Sequence, residues 1–260
     1  MKTLTMKTKM KSIKAKTLLL AAVSIMMAFG GIAGAADDAG VPGAFQRYGS
    51  SARGLALGNA VVGTADDAAI SYWNPAGLAQ LRTMEITGMG ATMFNDTKYS
   101  FFALGMPKEK LGTFALDGAF TSSGDYERAT WDEDLTETFS EKENIITLAW
   151  AGSAGRFAFG GAIKSVSQDI GGARGSSMGL DLGIYFRPHR LISVGAAVQN
   201  VLAPKITLVD EEEELAQSGR LGLALRFFSN RMIVSSDLVK TKWMDTSFRA
   251  GLELWPIRSL

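Results

Sequence analysis

The chain has 260 residues, 47% of them hydrophobic, with 29 Gly, no Cys, one His and a formal charge of +1. The absence of Cys excludes a disulfide scaffold, zinc–cysteine sites, thiol catalysis and a lipidated amino-terminal Cys. The lone His189 excludes a multi-histidine metal site and argues against a Ser-His-Asp hydrolase, so no catalytic residue, metal or cofactor is expected.

Residues 1–16 carry Lys2, Lys7, Lys9, Lys11, Lys14 and Lys16 and no acid. An apolar stretch, 18–32, and the small-x-small site Ala33-Gly34-Ala35 follow. This order reads as a secretory signal peptide over residues 1–35. The rival reading, a membrane anchor, meets an apolar part short of the ~20 residues that a spanning helix needs. Without residues 1–35 the chain holds 21 basic and 26 acidic residues, a balance that argues against nucleic-acid binding. No later stretch reaches ~18 uninterrupted apolar residues, so no spanning helix is expected.

Residues 36–82 form a second region, rich in Gly and Ala and without a clean period. Asp66-Asp67 would cap a short helix beginning at Ala68 by receiving free backbone N–H groups. Asn74-Pro75 is a turn signal, and Pro75 suits the first position of a short helix through Gln80. Arg53 is expected to be an ion-pair partner of Asp66 or Asp67, because a buried charge needs a counter-charge.

From residue 83 the dominant period is two. Met178, Leu180, Leu182, Ile184 and Phe186 alternate with Ser177, Gly179, Asp181, Gly183 and Tyr185. Leu221, Leu223, Leu225 and Phe227 alternate with Arg220, Gly222, Ala224 and Arg226 in the same manner. Ten strands are predicted: 83–94, 98–106, 111–122, 143–151, 156–168, 176–187, 191–200, 219–227, 231–239 and 246–255. Short turns at 107–110, 152–155, 188–190 and 228–230 alternate with the longer stretches 123–142, 169–175, 201–218 and 240–245. Long, even strands and alternating loop lengths point to an all-β fold, an antiparallel transmembrane β-barrel. Asp117, Lys164, Asp181, Arg226, Asp237, Arg249 and Glu253 fall on the polar face and would line a wet lumen. The competing architecture is a soluble secreted β-sandwich, which would bury the greasy faces in its core.

Taken with these strands, the run SARGLALGNAVVGTADDAAISYWNPAGLA resembles the amino-terminal signature of the PorV/PorQ family of outer-membrane barrels, relatives of the FadL-type transporters. The matching elements are Ala52-Arg53 with Gly58, then 65–68 (ADDA), then 72–78 (YWNPAGL). The resemblance implies residence in the outer membrane of a diderm bacterium, with outer-membrane lipid as the surroundings. It implies a plug of about residues 44–80 in the barrel, with Asn74, Pro75 and Ala76 either at its seal or, as a structural signature, in a tight turn that docks the segment in the lumen. Two functions follow from it: passive uptake of hydrophobic or amphipathic small molecules, or a PorV-like role binding secretion-system proteins of the type IX pathway. An outer-membrane enzyme such as a lipase is disfavoured by the missing histidine chemistry. Fourteen strands are usual in the family, so residues 83–260 are expected to be an incomplete barrel.

Three weaker signals remain. The acidic run 210–214 reads as a solvated outer loop. Trp150, Trp243 and Trp255 fall near predicted strand ends, as in an interfacial aromatic girdle. His189 sits in a turn with no evident partner.

Overall fold

The computed structural model describes residues 41–128, 137–208 and 211–255. The expected signal peptide, the middle of the stretch 123–142, Asp210 and residues 256–260 lie outside the described residues.

The fold is all-β and antiparallel. Its strands are β1 (Glu85–Thr92), β2 (Lys98–Lys108), β3 (Gly112–Arg128), β4 (Glu137–Ala154), β5 (Phe157–Ile170), β6 (Ala173–His189), β7 (Ile192–Leu202), β8 (Lys205–Leu208), β9 (Glu211–Glu214), β10 (Ser218–Phe227), β11 (Met232–Thr241) and β12 (Ser247–Leu254). Ten of them form one sheet in the order β1-β2-β3-β4-β5-β6-β7-β10-β11-β12, so each pairs with its nearest neighbours along the chain. All ten predicted segments are strands of this sheet. Among the described residues β1 and β12 end the sheet, each paired along one edge.

Three details differ from the sequence reading. The stretch 201–218, expected to be a loop, contains the hairpin β8–β9, in which Lys205 pairs with Glu214 and Leu208 with Glu211. The strands have only four residues each, too short for a period of two to register. Ile206 anchors the hairpin, buried where Gly175 leaves room for its side chain. The connection 169–175 is a tight hairpin rather than a longer loop. Its Gly171 and Gly172 take φ of 57° and 88°, the left-handed values that a two-residue primed turn requires. His189, finally, has a partner: its Nδ1 accepts from the Leu191 N–H at 3.3 Å.

The two faces of the sheet have opposite fates. Ala103, Ala115, Ala119, Ala149, Ala158, Ala162 and Ala224 are buried on one face. Ile86, Leu148, Ile163, Met178, Ile184, Leu221 and Leu254 are exposed on the other. Register stacks the exposed residues across strands, with Leu116 opposite Leu148 and Leu148 opposite Ile163. No second sheet covers this face among the described residues, so the sandwich arrangement, greasy side inward, is not formed. Each such side chain forgoes roughly 1.5–3 kcal/mol of burial in water. Roughly ten of them together exceed the 5–15 kcal/mol by which a domain is stable.

The segment before β1 covers the buried face. It holds 3-10 helices Ala44–Arg47, Ala68–Tyr72 and Pro75–Gln80 and one short α-helix, α1 (Ala52–Ala56). Phe45, Val62, Ile70, Tyr72, Trp73 and Leu78 from this segment join Phe101, Ala115, Ile145 and Tyr185 of the strands in one hydrophobic core. Large residues come from the segment and small ones mostly from the sheet, which lets the two backbones approach closely.

Candidate functional site

The segment is held to the sheet at successive points, and each begins from a residue type with a reason to be there. Asn74 has no exposed surface. Its Oδ1 accepts the Ala76 N–H at 3.1 Å, which caps the helix Pro75–Gln80. Its Nδ2 donates to the carbonyl oxygens of Ile184 (3.1 Å) and Val62 (3.4 Å). One amide thus ties the turn to itself, to β6 and to the preceding loop. Beneath the turn runs a row of small residues in register, Ala151, Gly160, Gly183 and Ala197.

Residues 61–64 dock on β7, β10 and β11. Asp237 Oδ2 accepts both the Val61 and Val62 N–H groups at 3.0 Å. Ser193 donates to the Gly63 carbonyl at 2.7 Å and accepts from Arg226 at 2.6 Å. The Arg226 guanidinium also donates to the Thr64 carbonyl. Arg249 stands opposite Asp237 across the β11–β12 ladder.

A third group lies at Gln46 and Tyr72. Lys164 and Asp181 form a buried ion pair at 2.9 Å. Asp181 also accepts the Asn200 N–H at 2.7 Å. Gln46 Oε1 accepts from Asn200 Nδ2 at 3.2 Å and from Lys164 at 3.5 Å. The Tyr72 hydroxyl donates to the Gln46 carbonyl, while Gln199 donates to the Tyr72 carbonyl. Nearby, Ser71 donates to Asp117 at 2.6 Å. The polar face therefore meets protein: Asp117, Lys164, Asp181, Arg226 and Asp237 are each no more than 3% exposed. The expected wet lining is absent at these five residues because the segment bonds four of them directly, and the fifth, Asp181, is bonded by Lys164 and the Asn200 N–H. Arg249 and Glu253 are half-buried.

At one margin Arg53, on α1, is gripped by three acids. It reaches Glu253 at 2.6 and 2.8 Å, Asp66 at 2.7 Å and Asp67 at 3.2 Å. Burial works against its charge, but hydrogen bonds to Glu253 and Asp66 outweigh that and bind the guanidinium proton more firmly. Burial raises the Asp67 carboxyl above its ordinary range, and Arg53 offsets part of this. Asp67 stands at the cap position of Ala68–Tyr72 but makes no capping bond from its side chain. Its carboxylate turns chiefly to Arg53, while the Ala69 N–H at the helix start contributes a smaller pull on the ionised form.

Arg53→Gln is expected to cost roughly 1–2 kcal/mol at neutral pH, since the cluster is partly exposed. The variant removes the cation that offsets burial at Asp67, so that carboxyl rises further above its ordinary range. The variant's deficit is then largest above the carboxylate range and shrinks as pH falls through about 6 to 4. Urea midpoints of both proteins at about pH 7.5 and about pH 4.5 check this.

Sequence reading passed over several anchoring residues. Arg220 is buried, its guanidinium 4.0 Å over the Trp73 ring and its Nε 3.0 Å from Gln199 Oε1. Arg220 shares the alternating phase of Gly222, Ala224 and Arg226, so the period itself carried the signal. Glu143, on β4, accepts from Gln168 at 2.8 Å. Gln46, Ser193, Gln199 and Asn200 give no comparable sign, since isolated amides and hydroxyls are common on any strand or loop.

No family model matches the chain, and no curated protein is similar to it.

Proposed function

We propose that this chain is an outer-membrane β-barrel protein whose segment of about residues 44–80 plugs the interior, and that it passes hydrophobic or amphipathic small molecules. The observation that carries the reading is the inversion of the sheet: charges and small residues are buried, and the large apolar side chains are exposed. A soluble monomer rarely exposes an apolar patch beyond ~300–600 Å². A bilayer removes the difficulty, because lipid covers the greasy face and antiparallel ladders satisfy the backbone. The exposed Trp150 and Trp255 lie near the strand ends of the short-turn side, and Trp243 lies in the opposite connection. That distribution suits two interfacial girdles.

A solute route is supported by a groove of about 460 Å³ on the apolar face, lined by Leu182, Ile184, Val198, Leu221 and Leu238. Small residues make the depression: Ala196 and Gly219, on the exposed face, leave the larger neighbours standing around them. Uptake of a labelled fatty acid or aromatic hydrocarbon should rise in cells producing the chain. Uptake equal to that of cells without it would sink the transport reading.

A second reading, a PorV-like partner of secretion machinery, is favoured by the density of bonds that fix the segment. A plug held this firmly suits a rigid binding platform. Stable recovery of secretion proteins or their cargo from detergent extracts, with no change in uptake, would select it.

A further inference from the structure

The two ends of the sheet carry opposite charge. The short turns and their adjoining residues (107–112, 154–157, 187–192 and 227–232) hold six cations, Lys108, Lys110, Arg156, Arg187, Arg190 and Arg231, against a single acid, Glu109. The opposite connections (93–97, 123–142, 169–175, 201–218 and 240–246) hold 15 acids against 6 cations. All six short-turn cations except the half-buried Arg187 are exposed. Among the described residues none of the six is in an ion pair, whereas Lys205 and Lys242 at the other end bind Glu212 and Glu214 at 2.8 and 2.9 Å. The short-turn cations are therefore a set of charges without counter-charges.

Their setting points to what supplies the counter-charge. Arg82, Lys108 and Lys110 rim a cleft of about 590 Å³ whose wall includes Trp150 and Phe159. Trp150 Nε1 donates to the Leu111 carbonyl at 2.8 Å, which fixes the indole at the cleft. Phe159 packs 5.8 Å from it, and Phe157 stacks on Phe186 at 4.3 Å. Exposed cations thus stand directly beyond a band of aromatic side chains, which borders the apolar face. Phosphates above acyl chains present the complementary order: negative charge, interface, hydrocarbon.

We propose that the short-turn end is a collar that binds the phosphodiester headgroups of an anionic phospholipid leaflet, with the cleft at Arg82, Lys108 and Lys110 as its best-formed site. The proposal rests on the reading that the apolar face lies in a bilayer. The full chain in neutral detergent would be given equal amounts of phosphatidylglycerol and phosphatidylcholine with identical acyl chains, and retained lipid measured by native mass spectrometry. Phosphatidylglycerol is expected to be retained at least about fivefold over phosphatidylcholine, falling to within about twofold in Arg82→Gln/Lys108→Gln/Lys110→Gln. The matched variant Lys205→Gln/Lys240→Gln/Lys242→Gln should keep the wild-type ratio, and circular dichroism should show the same sheet in all three proteins. An unchanged ratio in the short-turn variant overturns the collar, as does displacement of the lipid by a soluble acidic peptide. Equal retention of both lipids overturns the collar alone, while retention of neither removes the membrane reading as well.

Discussion

Gly160→Val is expected to destabilise the folded chain by more than about 4 kcal/mol, and Gly161→Val, one residue on, to change it by less than about 1 kcal/mol. The two glycines are neighbours in β5 on opposite faces. A Cβ at Gly160 would stand 2.6 Å from the backbone of both Pro75 and Ala76, so no side-chain rotation relieves the clash. A Cβ at Gly161 would meet Leu182 at 3.6 Å, an ordinary contact on the exposed face. Gly183, opposite Gly160 in the ladder, is as tight, with Asn74 Oδ1 2.1 Å from where its Cβ would be. The Asn74-Pro75-Ala76 turn is thus seated in a trough that exists because two paired residues lack side chains. Eviction of the turn would also free Asn74 from Ile184 and uncover Trp73 and Leu78. Denaturant titration of both variants in detergent reads the difference, and equal losses would mean that the trough does not hold the turn.

That trough shows what the sequence made legible and what it did not. Alternation located eight of the ten strands clearly, 83–94 and 98–106 alternating poorly, and put Asp117, Lys164, Asp181, Arg226 and Asp237 on one face, because pleat geometry has period two whatever surrounds the sheet. Alternation alone cannot say which face is buried: the same Leu221–Leu223–Leu225 pattern serves a sandwich core. The burial follows from residues outside the strands, the large apolar groups of 42–82 that need small partners, and these sit far away in the chain. Distance also hid one of the three acids of the Arg53 cluster. Asp66 and Asp67 lie 13 and 14 residues from Arg53, near enough to be proposed as partners, but Glu253 lies 200 residues away. The hairpin β8–β9 was hidden for a different reason, since Glu211–Glu214 has no apolar alternation to show.

The bonds to 61–64 carry a second large effect. Asp237→Ala is expected to cost about 3–5 kcal/mol, the range for breaking a buried charge away from its partners. Two losses coincide at one oxygen, and a third falls on the neighbouring strand. The Val61 and Val62 N–H groups, 3.0 Å from Oδ2, would be left as buried donors without acceptors, since Val62 is wholly and Val61 largely buried. Arg249, opposite Asp237 in the ladder, would face a methyl group. The site has no slack to reorganise: Gly222, also opposite Asp237, would place a Cβ 2.4 Å from Oδ1 and 2.6 Å from the Gly63 N–H. The carboxylate is thus held by the Val61 and Val62 N–H groups in a space that Gly222 leaves open. Asp237→Asn keeps the shape and an oxygen able to accept both bonds while removing the charge. It is expected to lose about 1–2 kcal/mol, the usual difference between a charged and a neutral acceptor. Denaturation midpoints in detergent should therefore fall in the order wild type, Asn, Ala. An Asn variant as unstable as the Ala variant would show that charge facing Arg249 dominates. An Ala variant as stable as wild type would show that residues 61–64 dock without this carboxylate.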